Sequence, residues 1–145
     1  MDCEAYRESS QESMKPKDAK WFRNKIDEAR RNYVKQRDKD WREKGHCISC
    51  GVYREINELQ IGHYYSRIHD YTTALGLREE NVQLQCVPCN NYKRGNLQSY
   101  ANGLVRKYGV QILERLEQAK KTPKKYKVAE LQALLESYKE KLSKL

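Results

Sequence analysis

Apolar residues near the beginning of the chain recur at the three-to-four-residue spacing of a helix. Between residues 18 and 44 they form a narrow stripe, while lysine and arginine crowd the other faces. Asp18 is a residue type that caps helix N-termini, and Gly45 is the type that commonly follows a C-terminus. The pattern predicts one basic amphipathic helix over 18–44, with an apolar stripe made of Trp21, Phe22, Ile26, Ala29, Tyr33 and Val34.

The middle of the chain has shorter apolar segments separated by polar residues. Val52-Tyr53 and the segment 59–61 contain residues that favour strands, and they predict a short hairpin within 46–64. Residues 65–80 predict a loop, and a helix is expected to begin near Cys89 or Asn90. This part of the chain is therefore expected to fold as a small mixed core.

Helical periodicity returns in the last third of the chain. One helix is predicted from about Leu97 to Lys120, followed by a basic break that contains Pro123. A final amphipathic helix is predicted from the apolar stripe of Val128, Leu131, Leu134, Leu135, Tyr138, Leu142 and Leu145. We expect this stripe to pack within one molecule, and a dimer seam is the alternative.

The pattern as a whole predicts an α+β fold with long flanking helices. Residues 1–17 are polar and are expected to form a disordered tail. A basic helix occupies 18–44, a compact core occupies 45–100, and a helical extension occupies 101–145.

Composition adds a constraint on stability and on partners. Hydrophobic residues make up 38% of the 145 residues and charged residues 34%, so the core is small and is expected to need a metal or disulfides. The net charge of +9 and the pI of about 9.3 favour a polyanionic partner, nucleic acid above all. A basic surface that merely aids solubility is the alternative.

The surroundings of the protein are also indicated by the chain. No apolar run approaches the roughly 20 residues that span a bilayer, so no membrane partner is expected. The first residues, Met1-Asp2-Cys3-Glu4, are acidic and polar and do not resemble a secretory signal. We therefore expect a cytoplasmic protein, in the host cytoplasm if the gene is viral, where paired cysteines more often hold metal than form disulfides.

Four of the five cysteines form two CxxC pairs, Cys47 with Cys50 and Cys86 with Cys89, separated by 35 residues. Each pair can direct two thiolates at one ion, and two pairs complete the tetrahedral sulfur shell that zinc prefers, at about 2.3 Å. Because four thiolates fill that shell, the zinc is expected to be structural. Redox-active pairs are the alternative. Cys3 is left over and is expected to be idle.

The residues between and after these pairs carry the candidate chemistry. The chain gives Gly62-His63-Tyr64, then Asn81, then Cys89-Asn90. This order resembles the HNH, or ββα-metal, nucleases, in which a histidine is the general base, a middle asparagine braces a loop, and a last His or Asn binds the catalytic ion. The resemblance implies a zinc-stapled HNH-type core in which these roles fall on His63, Asn81 and Asn90.

The chemistry of these residue types agrees with that resemblance. Histidine ordinarily titrates near pH 6.5, and a positioned general base contributes about 10²–10⁴ in rate. Mg²⁺, or Mn²⁺ in its place, takes oxygen ligands and keeps several waters, so one asparagine carbonyl and phosphate oxygens can suffice. The ion would stabilise charge on the leaving oxygen.

A narrower resemblance follows from the strings GHYYSR and ENVQLQCVPCNNYKRGNLQSY. They are similar to the NinG family of phage proteins, also called Rap recombination proteins, and the similarity extends from about Asn32 through the final helix. Membership implies a DNA endonuclease of recombination that prefers branched structures such as Holliday junctions and D-loops. A looser likeness to phage endonuclease VII, a dimeric junction resolvase with a four-cysteine zinc, raises a homodimer as an expectation.

One position departs from many HNH enzymes, which place a metal-binding aspartate directly before the catalytic histidine. Gly62 stands there, as it does in NinG relatives, so the second metal ligand is open. Asp70 or Glu58 could substitute, although neither has a spacing argument behind it. We favour an ion held by Asn90, water and the DNA phosphate.

Each candidate also has an ordinary interpretation. His63 could be a plain polar residue, Asn81 a turn residue, and Asn90 a helix N-cap. Phosphate contacts, with solvated surface charge as the alternative, are expected from three basic residues: Arg67, Lys93 and Arg94. For the whole protein, the alternative to a nuclease is a zinc-stabilised nucleic-acid-binding adaptor without catalytic activity.

Overall fold

The computed structural model describes residues 17–145. The predicted polar tail up to residue 16, with Cys3, lies outside the described residues. The rest is a mixed α+β structure, as predicted, whose elements are α1 (Ala19–Asp38), β1 (Lys44–His46), β2 (Tyr53–Glu55), β3 (Leu59–His63), β4 (Val82–Cys86), α2 (Leu97–Tyr108), α3 (Ile112–Lys121) and α4 (Val128–Ser143). None of the helices within residues 17–145 has the length and apolar character needed to cross a membrane.

The first helix begins at the predicted N-cap. The carboxylate of Asp18 accepts a hydrogen bond from the backbone N–H of Trp21 at 2.9 Å, which satisfies one of the free amides of the first turn. The predicted apolar stripe is the buried face of α1, with Phe22, Ile26 and Val34 at its centre. This face packs against α4, so the first and last helices of the described chain lie side by side.

The predicted end of that helix at Lys44 is wrong, because α1 ends at Asp38. The carboxylate of Asp40 accepts hydrogen bonds from the backbone N–H groups of Arg42 (2.8 Å) and Lys44 (3.1 Å). Such local side-chain bonds offer the backbone an alternative to the helix. Gly45, expected to follow the helix, instead lies inside β1.

The strands form two separate antiparallel pairs. β1 pairs with β2, and β3 pairs with β4 so that Leu59 faces Cys86 and His63 faces Val82. The predicted hairpin is therefore wrong, because its two segments belong to different sheets. β4 was not predicted as a strand. All five of its residues are buried. Two of them are glutamines, which interrupt the apolar run that would otherwise indicate a buried strand.

The helices that follow β4 differ from the prediction in one respect. A helical turn spans Pro88–Tyr92, close to the expected start. The helix predicted from Leu97 to Lys120 is two helices, because Gly109 adopts a φ of +95° and ends α2. The final helix is present as predicted.

Two apolar clusters stabilise this arrangement. The larger one lies between α1, α4 and the strands, and Leu131, Leu135 and Tyr138 of the C-terminal stripe are buried in it. The centre of this stripe therefore packs within the molecule, whereas Val128 and Leu145 at its ends are exposed. The smaller cluster lies beneath α2 and α3 and contains Leu75, Tyr100, Leu104, Ile112, Leu116 and Ala119.

Candidate metal centre and the polar site around His63

The four paired cysteines come together in space. Cys47 and Cys50 lie in the turn after β1, and Cys86 and Cys89 lie at the end of β4 and in the turn that follows. Their four Sγ atoms lie within 4.8 Å of one another, which suits one ion at about 2.3 Å from each sulfur. Gly51 supports the first turn with a φ of +78°. The four thiols are thus close enough to hold a metal such as zinc.

Burial of the Cys86 thiol disfavours a free thiolate at that position. Burial raises the pKa of the Cys86 thiol to about 12. Without a cation this thiol stays protonated at neutral pH, and metal binding would displace its proton. The arrangement therefore fits a structural zinc ion, whose charge compensates the buried sulfurs.

His63 lies at the last position of β3, where its ring is held by a buried carboxylate. Its Nε2 is 3.0 Å from Oδ2 of Asp70, a residue that is 1% exposed. The same oxygen accepts a hydrogen bond at 2.8 Å from the buried Arg30. Because the Asp70 carboxylate is an acceptor, Nε2 carries the proton and Nδ1 is left with the lone pair.

The positions of Asp70 and Glu58 argue against both as replacements for the metal-binding aspartate. Oδ2 of Asp70 is already shared by Arg30 and His63, so this oxygen orients the histidine and is not a free ligand. Glu58 is exposed and lies in the short turn before β3, at the end of the strand opposite to His63. Neither residue therefore takes the place of the missing aspartate at Gly62.

Asn81 is completely buried directly before β4. Its Oδ1 accepts a hydrogen bond from the backbone N–H of Tyr65 at 2.9 Å, and its Nδ2 donates to the carbonyl of Tyr65 at 3.0 Å. The two bonds tie the segment after His63 to the start of β4. Asn81 therefore fixes the backbone beside His63 and does not itself reach a substrate.

Asn90 lies inside the Pro88–Tyr92 turn, so the N-cap interpretation does not apply to it. Its Nδ2 donates to Oε1 of Gln60 at 2.8 Å. Its Oδ1 lies 3.1 Å from the position that a Cβ on Gly62 would occupy. Among the described residues no hydrogen bond to this oxygen is formed, so it is available to a cation.

A second amide fills the space beside Gly62. Gln85 is fully buried, and its Nε2 donates to Oγ of Ser49 at 2.8 Å and to the carbonyl of Gly95 at 2.7 Å. Its Oε1 lies only 1.8 Å from the Cβ position of Gly62. Any side chain at position 62, an aspartate included, would collide with this amide, so packing explains the glycine.

His63 and Asn90 approach β3 from different sides. Successive side chains of a strand point to opposite faces, so Asn90 lies on the Gly62 face and His63 points to the other. Since neighbouring Cα atoms are about 3.8 Å apart, Oδ1 of Asn90 lies no more than about 8.5 Å from the Cα of His63. The imidazole and the amide oxygen therefore flank one short backbone segment at the end of β3.

The predicted basic residues lie around this segment in two groups. Arg67 forms an ion pair with Asp27 of α1 at 2.7 Å, and both line a cleft of about 160 Å³ that also exposes His63. Lys93 and Arg94 are exposed in the turn after Asn90, and their side chains pair with no other residue of the described chain. Arg67 therefore lies beside the imidazole of His63, whereas Lys93 and Arg94 follow Asn90 in the chain.

Sequence reasoning missed two residues that the fold brings to the site. Arg30 was assigned only to a basic helix face, yet it is 2% exposed and binds Asp70. Gln85 lies in the string ENVQLQCVPCNNYKRGNLQSY, but the sequence suggests no function for it. Its position next to Cys86 is the one sequence feature that could have indicated a place near the site. Both act through contacts that the linear chain does not show.

Comparison with known proteins extends these findings. A profile of the family described as "Bacteriophage Lambda NinG protein" matches residues 3–145, which is more of the chain than the similarity expected from Asn32 onward. Proteins named "Protein ninG" from Escherichia phage 933W and Salmonella phage P22 are 31% identical over 113 residues, and the one from Escherichia phage lambda is 30% identical over the same length.

These matches cover 78% of this chain and 52% of each relative, so the chain spans about half the length of the curated relatives it matches. No solved structure gives a significant match. Because the family profile covers nearly every residue, the chain belongs to the NinG family of phage proteins.

Proposed function

We propose that this protein is a metal-dependent DNA endonuclease that cuts branched recombination intermediates such as Holliday junctions and D-loops. The observation that carries the proposal is that an oriented imidazole and an amide oxygen, which accepts no hydrogen bond from the described residues, both lie beside the Gly62–His63 segment. The NinG membership and the net charge of +9 support DNA as the substrate.

His63 is the general base of this proposal. Asp70 holds the Nε2–H, so Nδ1 is the nitrogen that takes a proton from the attacking water. Asp70 is in turn fixed by Arg30, whose guanidinium also donates to the hydroxyl of Tyr138 at 3.2 Å and to the carbonyl of Gly76 at 3.1 Å. The ring therefore has one preferred orientation before DNA binds.

Asn90 holds the catalytic divalent ion through Oδ1. Mg²⁺ or Mn²⁺ bound there would stabilise the negative charge that develops on the leaving oxygen of the phosphodiester. In-line displacement places the attacking water and the leaving oxygen on opposite sides of the phosphorus. The proposal therefore requires that His63 and the ion held by Asn90 reach the two ends of one phosphodiester linkage.

The remaining predicted residues have supporting roles in the proposal. The four cysteines hold one structural Zn²⁺, which fixes the turn that carries Asn90. Lys93 and Arg94 contact phosphates on the Asn90 side, and Arg67 contacts them beside His63. A homodimer would let two such sites cut a junction on both strands, and that assembly is part of the proposal.

The test is cleavage of a labelled four-way junction by the zinc-loaded protein with Mg²⁺ or Mn²⁺. We expect cutting at the branch, and a loss of about 10²–10⁴ in rate for His63→Ala with junction binding unchanged. Asn102→Ala is the control, since Asn102 is exposed on α2 and its side chain forms no hydrogen bond within residues 17–145. Tight binding without cutting in either metal would contradict the endonuclease and leave the adaptor.

A further inference from the structure

The oxygen of the Gln85 side chain is a buried polar atom that has no hydrogen-bond partner within residues 17–145. Gln85 is 0% exposed, and its Oε1 receives no hydrogen bond from the described residues. Buried polar atoms in folded proteins nearly always have a partner, so an exception needs an explanation such as an ion.

The orientation of this amide is fixed by its neighbours. The carbonyl of Gly95 can only accept a hydrogen bond, so the Gln85 atom 2.7 Å from it must be the nitrogen. Oε1 is consequently the atom directed at Gly62. Reversing the amide would place two oxygens against each other, which excludes that alternative.

Two amide oxygens converge at Gly62. Oε1 of Gln85 and Oδ1 of Asn90 lie 1.8 Å and 3.1 Å from the same Cβ position, so they are at most about 5 Å apart. An octahedral ion at about 2.0–2.1 Å from each ligand places neighbouring oxygens about 3 Å apart and opposite ones about 4 Å apart. The separation therefore allows both oxygens to bind one ion.

We infer that Gln85 is the second protein ligand of the catalytic divalent ion, through Oε1, in the space that an aspartate at position 62 would fill. This inference rests on the proposed function. In this proposal a neutral amide on β4 takes the place of the aspartate that many HNH enzymes have directly before the histidine. Gly62 leaves room for that amide because it has no side chain. Because neither amide is charged, phosphate oxygens of DNA complete and neutralise the shell.

The experiment measures Mn²⁺ binding to the zinc-loaded full chain with a four-way junction present, relative to the junction alone, by the loss of the free-ion electron paramagnetic resonance signal. Gln85→Met keeps the length of the side chain and removes its oxygen. We expect this variant to bind Mn²⁺ at least about tenfold more weakly than the wild-type protein, as loss of a metal-site partner does elsewhere. Asn90→Ala should weaken binding as well.

Gln83→Met is the matched control. Gln83 lies two residues earlier on the same face of β4 and is also buried, but its Oε1 accepts hydrogen bonds from Arg37 (3.0 Å) and Lys107 (2.7 Å). We expect Gln83→Met to lower the unfolding temperature without changing Mn²⁺ affinity. Equal affinities for Gln85→Met and the wild-type protein would overturn the ligand assignment.

A ligand exchange tests the inference even if Gln85→Met folds poorly. Gly62→Asp in a Gln85→Ala background removes the colliding amide and places a carboxylate oxygen at the same point. We expect Mn²⁺ affinity to equal or exceed that of the wild-type protein. If the exchange fails while binding and cleavage that depend on Asn90 persist, the assignment of Gln85 alone is wrong. If the wild-type protein binds no Mn²⁺ with the junction present, both proposals are wrong.

Discussion

The arginine of α1 shows how one buried side chain can organise a site that it does not enter. Arg30 donates to Asp70, and Asp70 in turn receives Nε2 of His63. Burial of Arg30 opposes its charge, but Tyr138 and Asp70 outweigh that effect and raise its pKa above the ordinary arginine value. The histidine is therefore held by a carboxylate whose own position depends on a compensated buried charge.

At this scale we predict that Asp70→Asn destabilises the protein far more than His63→Ala. Removing the carboxylate leaves the Arg30 charge buried without its partner, which costs about 3–5 kcal/mol. His63→Ala removes one hydrogen bond of a partly exposed ring, worth about 1 kcal/mol. Urea unfolding of the two variants measures the difference, and equal losses of free energy would show that the ion pair contributes little.

At the scale of elements, α2 packs directly on the first cysteine turn. A Cβ at Gly103 would lie 2.1 Å from the carbonyl oxygen of Ile48, which lies between Cys47 and Cys50. One turn earlier on the same face of the helix, the hydroxyl of Tyr100 donates to the carbonyl of Gly62 at 2.8 Å. The helix thus contacts both the metal centre and the strand that carries His63.

Gly103→Ala is therefore expected to push α2 away from the cysteine turn. Overpacking of this kind costs about 1–3 kcal/mol, because backbone atoms have to move. Thermal unfolding checks the loss, and zinc release to a chelator should become faster. Asn102→Ala, at the exposed neighbouring position, is the control and should change stability by less than about 0.5 kcal/mol.

At the scale of the whole molecule, the four cysteines link the two strand pairs, which also share the larger apolar cluster. The thiols of these cysteines connect the β1–β2 pair to the end of the β3–β4 pair. Structural zinc in small domains contributes about 10–16 kcal/mol of apparent binding free energy, whereas a typical domain has a margin of about 5–15 kcal/mol. The fold around His63 is consequently expected to depend on the ion.

We predict that Cys86→Ser abolishes folding and does not merely slow catalysis. Loss of one thiolate opens the shell and weakens the hold on the ion that links the remaining three cysteines. Near-ultraviolet circular dichroism and the zinc content of the purified protein measure the effect, with Cys3→Ser as the cysteine control. A Cys86→Ser variant with native thermal stability and bound metal would refute the structural zinc.

The charge of the molecule also leads to a prediction about DNA binding. If phosphate contacts by basic residues such as Arg67, Lys93 and Arg94 dominate, six to ten such contacts would lower affinity about 10³–10⁵-fold between 50 and 200 mM salt. Lys93→Ala and Arg94→Ala should each reduce the slope of log affinity against log salt by about 0.9. Fluorescence anisotropy with a labelled junction measures that slope, and a flat response would contradict charge-driven binding.

Several features were predictable because their causes are local in the chain. The two CxxC pairs indicate a metal site through spacing alone, since each pair needs only one turn to direct its thiolates. Asp18 predicts the start of α1, and the apolar period predicts α4. The same local cues failed where a side chain intervened, as Asp40 did at the end of α1.

Local spacing in the sequence thus determined the cysteine pairs, the helical faces and the order in which His63, Asn81 and Asn90 occur. The tertiary structure alone decided the partners of these residues, since Arg30 and Gln85 reach the site from α1 and β4 across long stretches of chain. The buried charge of Arg30 requires a carboxylate beside it, and Asp70, which fills that role, also binds His63.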